Sequence, residues 1–84
     1  MVDQAMEVLK KTPEGALVVD VEKLPGLKQW ALKEIPSAQL SGEMMALVKF
    51  AHFLDRERGS QQAAVALLEL AHDVLKERGL LAPT

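Results

Sequence analysis

Two histidines, His52 and His72, and the carboxylates near them are the residues of this 84-residue chain best suited to chemistry. A histidine can move a proton near neutral pH or ligate a metal ion. Glu69 stands three residues before His72, and on a helix that Glu-x-x-His spacing sets both groups near one face, as in dinuclear carboxylate bundles. Such sites need the motif on two helices and two further Glu, whereas Lys49 occupies the matching position before His52 and spoils the pair. The histidines lie seven and twelve residues from Gly59-Ser60, where two helical stretches meet. Folded antiparallel about that break they differ in height by about 8 Å, at about 1.5 Å per residue. With Asp55 or Asp73 they would make a metal site only across a dimer, and boundary histidines bonded to water or backbone are the simpler reading.

Other nucleophiles are scarce. The chain has no Cys and no Tyr, and Ser37, Ser41 and Ser60 stand where turns and helix caps place serine. Its five glycines are dispersed, and none precedes a Lys-Ser or Lys-Thr pair, so there is no phosphate-cradling loop. No cofactor, no metal and no catalytic activity are expected. A net charge of −2 also argues against the phosphate attraction on which most nucleic-acid binding rests. Residues 27–35 and 41–54 can be forced into a helix-turn-helix, but its second helix would lead with Glu43, Met44, Met45 and Ala46 instead of base-reading side chains. The remaining ground for a nucleic-acid-binding regulator, kept as the alternative function, is a set of lysines, Lys10, Lys11, Lys23, Lys28 and Lys33.

The elements that position these residues are mostly helical. Val2, Ala5, Met6 and Leu9 follow one face of a first helix over about residues 2–11, with Asp3 and Lys10-Lys11 complementing its dipole. Residues 12–15, Thr-Pro-Glu-Gly, break the pattern. Residues 16–21 are Val-rich and read either as a helix opened by Thr12 and Pro13 or as a short extended segment, the latter preferred. A lone strand would pair with its copy across a dimer axis or with nothing. Asp20 caps a turn over residues 21–24, and Leu27, Trp30, Ala31 and Ile35 line a second helix that stops at Pro36. Residues 37–42 read as a connection in which Ser41 caps the third helix.

Residues 43–58 and 61–78 form an αα-hairpin about Gly59-Ser60, with Gly59 in the left-handed position and Ser60 as cap. Gly79 closes the last helix in the same way, with Leu80 placed for the contact to Leu75 that accompanies a Schellman ending. Ala82, Pro83 and Thr84 read as a frayed tail. A shift of twenty residues matches seven of fourteen positions between residues 46–59 and 66–79, and shared demands of core and cap explain much of the match.

The expected fold is all-α: one domain over residues 1–84, four helices, a C-terminal antiparallel αα-hairpin and an optional extended segment at residues 16–21. The fourth helix is amphipathic, whereas the third is apolar around most of its circumference and must be covered on several sides. A domain of this length buries only about 60 to 65% of its unfolded surface, so a second copy is the simplest cover. The expected function is therefore a protein-protein interaction module, a regulator, adaptor or accessory subunit, homodimeric and able to bind another protein. Trp30, Met44, Met45, Leu47, Val48, Phe50 and Phe53 are the expected contact residues. The longest apolar run, residues 63–68, is far short of a bilayer span, and residues 1–11 carry Asp3 and Glu7 and resemble no leader. Both point to the cytoplasm.

Overall fold

The computed structural model describes residues 1–81; the expected tail at Ala82, Pro83 and Thr84 lies outside them. In chain order the elements are α1 (Val2–Glu7), β1 (Leu9–Lys11), β2 (Leu17–Val19), a 3-10 turn (Val21–Lys23), α2 (Leu24–Glu34), α3 (Ser37–Arg58) and α4 (Gln61–Glu77). The fold is mostly helical with a small antiparallel sheet, and so is not purely all-α. No helix among the described residues is long and apolar enough to cross a membrane.

The first helix stops at Glu7 instead of Lys11, because residues 9–11 become the strand that residues 17–19 need. Leu9, Lys10 and Lys11 stand opposite Val19, Val18 and Leu17. Thr12 makes the turn: its N–H donates to the Ala16 carbonyl at 2.8 Å, its hydroxyl accepts from the Ala16 N–H at 3.1 Å, and its carbonyl accepts from the Gly15 N–H at 2.9 Å. Gly15, at φ +86°, supplies the left-handed backbone. One more helical turn would have satisfied β1 but left β2 without a partner, and buried backbone groups do not stay unpaired. The extended reading of residues 16–21 thus holds for Leu17–Val19, with its partner inside the same chain.

The 3-10 turn follows as expected, the Asp20 carboxylate accepting from the Glu22 N–H at 3.2 Å. The connection expected at residues 37–42 does not exist, because α3 starts directly after Pro36, and Ser41 is an exposed residue of the helix, not its cap. Leu40 explains the difference. It continues the Met44–Leu47–Ala51–Leu54 stripe by one turn and is fully buried. Burying a leucine contributes about 1.5–3 kcal/mol, which outweighs the cost of about 1 kcal/mol for a glycine inside a helix, here Gly42.

The αα-hairpin forms as the sequence predicts. Gly59 takes φ +61°, and the N–H of Ser60 reaches back to the Leu54 carbonyl at 3.0 Å. Ser60 occupies the cap position of α4, but its buried hydroxyl donates to the Arg58 carbonyl at 3.4 Å instead of capping. After α4, Gly79 at φ +68° completes a Schellman ending, with Leu80 N–H to Leu75 O at 2.9 Å and Gly79 N–H to Lys76 O at 3.1 Å.

The core runs between α3 and α4, where Leu40, Met44, Leu47, Leu54, Leu67 and Val74 are the largest fully buried side chains. Leu27, Ala31 and Ile35 of α2, Ala5 and Val8 at the N-terminal end, and Val19 of β2 close it. The third helix is therefore covered on its widest apolar face by its own chain.

Candidate interaction surface

The side chains best suited to catalysis or metal ligation do not converge. His52 and His72 are exposed, His72 approaches only its neighbour Asp73, at 3.9 Å, and no metal-holding group of three His, Asp or Glu occurs among the described residues. Glu69 is exposed and lines a different hollow, beside Val21, Leu24, Pro25 and Lys28. The five lysines divide between β1 and the turn-α2 segment, and Lys28 lies 3.6 Å from Glu77.

The seven expected contact residues separate as well. Met44 and Leu47 are fully buried, so they hold the two long helices together and no partner can reach them. Their i, i+3 spacing belongs to the core stripe, which an apolar circumference conceals in the sequence. Trp30 is half-buried and lines a mostly polar hollow with Gln4, Glu7 and Lys23. Val48 is half-buried against the core, and Met45 is 56% exposed. Phe50 and Phe53 lie on a different flank of α3, their rings nearly parallel (14°) with centroids 6.4 Å apart.

These two rings form one wall of an open groove of about 440 Å³. The opposite wall is Met6, Leu9 and Leu17, and Lys10, Lys11 and Arg58 stand around it. Met6 is 55% exposed and Phe53 48%, unusual exposure for side chains that gain by burial. The groove exists because residues 9–11 leave the helix: Leu9 and Leu17 fall on the same face of the hairpin, offset by two places in its register, and together they look toward α3. The sequence carries that signal only as apolar positions either side of a Thr-Pro-Glu-Gly turn, and a helical period through residues 2–9 masks it.

The two edges of the sheet are treated differently. Asp20 N–H donates to Val8 O at 2.7 Å and Thr12 N–H to Ala16 O at 2.8 Å, so even-numbered residues of β1 turn their backbone groups toward β2. Leu9 and Lys11 turn theirs away, as do Leu17 and Val19 on the other strand. Across β2, the side-chain amide of Gln62 acts as a piece of neighbouring strand: its oxygen accepts from Val19 N–H at 2.8 Å and its nitrogen donates to Val19 O at 3.4 Å. The N–H groups that close α1 donate to the Ala5 and Met6 carbonyls, that of Val8 to the first at 3.2 Å and that of Leu9 to the second, so the outward edge of β1 consists of the Leu9 carbonyl and the N–H and carbonyl of Lys11. That edge borders the groove.

Compared with protein-family models, with curated proteins and with solved structures, the chain matches none.

Proposed function

We propose that this chain is a protein-protein interaction module, a regulator, adaptor or accessory subunit in the cytoplasm, and not an enzyme. Supporting this reading is the groove between α3 and the hairpin, where Phe50, Phe53, Met6 and Leu9 present apolar surface beside cations. Exposed aromatic and methionine side chains at a concave site are what a partner's anchor residues use. Self-association is the simplest form, but the original reason for it, a third helix that one chain could not cover, is met largely within the chain.

The test is native mass by light scattering on tagged protein isolated from its own cells, for the unaltered chain and for Phe53→Glu. A homodimer or a complex with another protein that Phe53→Glu dissolves is the expected result. A monomer in both, or an assembly indifferent to Phe53→Glu, counts against the groove. Binding that instead falls steeply with salt and needs Lys23, Lys28 and Lys33 would favour the nucleic-acid alternative.

A further inference from the structure

We infer that the groove takes an extended, acidic segment of another protein, which adds to the open edge of β1 as a third strand; this rests on the interaction reading above. Three observations point to that occupant. The Leu9 carbonyl and both backbone groups of Lys11 face away from β2, the Leu9 N–H being used to close α1, while the far edge of the same sheet is closed by Gln62. An open edge with unpaired N–H and C=O groups is a template for an incoming strand. The edge borders apolar walls, with Phe50 and Phe53 on one side and Leu9 and Leu17 on the other, so every second side chain of an added strand would find a dry surface.

The charge decides which strand. Lys10, Lys11 and Arg58 stand around the groove with no carboxylate lining it, in a chain whose net charge is −2. None of the three forms an ion pair among the described residues. A second copy's β1 would bring its own Lys10 and Lys11 against these, and like charges on facing strands repel. Asp or Glu alternating with apolar residues complements both the cations and the walls. Lys11 offers one outward donor and one outward acceptor and Leu9 one outward acceptor, so a segment of about four residues, at about 3.3 Å each, spans the edge.

The measurement is NMR titration of the labelled full chain with a pool of eight-residue peptides alternating Glu or Asp with Val, Ile or Phe, up to millimolar concentration, and with the same pool carrying Lys in place of the acids. The inference expects shifts at residues 9–11 and at Phe50 and Phe53 with the acidic pool only, and amide exchange at Lys11 slowed at least tenfold while Val18 is unchanged. Lys10→Glu combined with Lys11→Glu should reduce binding at least tenfold. Lys11→Pro removes an N–H that the hairpin does not use, and should reduce binding without loss of the helical circular dichroism. Should that substitution disturb the hairpin, the double Glu variant still decides. No shift at β1, shifts without slowed exchange at Lys11, or equal binding of the Lys pool would overturn the inference. If β1 stays silent while Phe53→Glu still dissolves the native assembly, the edge fails and the interaction reading survives; if both fail, neither stands.

Discussion

At the scale of single residues, exposure separates side chains of identical type. Met44 and Met45 are adjacent, yet one is fully buried and the other 56% exposed. Met44→Ala is expected to cost about 2–5 kcal/mol in urea or thermal unfolding, as buried large-to-small changes do. Met45→Ala and Phe53→Ser should cost much less, about 0.5 kcal/mol, so a variant of Phe53 that loses partner binding while keeping its melting curve identifies a contact and not a core residue. Gly42 offers the opposite sign. It lies inside α3, is exposed, and a Cβ there would meet nothing within 4 Å. Gly42→Ala should raise stability by about 0.5–1 kcal/mol, measured the same way. Equal costs for both methionines, or a destabilising Gly42→Ala, would contradict this placement of α3.

At the scale of elements, the hairpin depends on a contact made from a distant part of the chain. Gln62, forty-three residues from Val19, closes the outer edge of β2 with two hydrogen bonds. Neutral hydrogen bonds contribute about 0.5–1.5 kcal/mol each, so Gln62→Ala should lower the global stability by about 1–2 kcal/mol and speed hydrogen exchange at Val19 N–H more than at Val18 N–H, which stays inside the ladder. If exchange at Val19 did not respond, the amide would not be acting as a surrogate strand. The helix ends obey a local rule. Gly59 and Gly79 both sit at positive φ twenty residues apart, so the repeated Glu-Arg-Gly at residues 57–59 and 77–79 corresponds to a repeated way of ending a helix. Ser60 and Ser41 show where that rule fails, since neither caps a helix by its side chain.

For the whole molecule, the 22 residues of α3 set the long dimension, 40 Å against 24 and 19 Å, and α1, α2, α4 and the sheet gather around it. His52→Ala with His72→Ala should leave fold and partner binding unchanged, because both side chains are exposed and meet no convergent groups; a lost activity in that double variant would revive a catalytic role. The sequence alone determined the αα-hairpin, the glycine ends, the Asp20-capped turn and the stop at Pro36, because each rests on contacts within a few residues and on a period of 3.6. Tertiary structure decided the rest. Whether residues 9–11 continue a helix or make a strand depends on residues 17–19 and on Gln62, and whether residues 37–42 are loop or helix depends on where Leu40 is buried. Which apolar face of α3 turns inward was equally hidden, since residues 44–54 are apolar around most of the circumference and periodicity cannot choose among several apolar faces. That choice buried Met44 and Leu47 and left Phe53 beside an open strand edge.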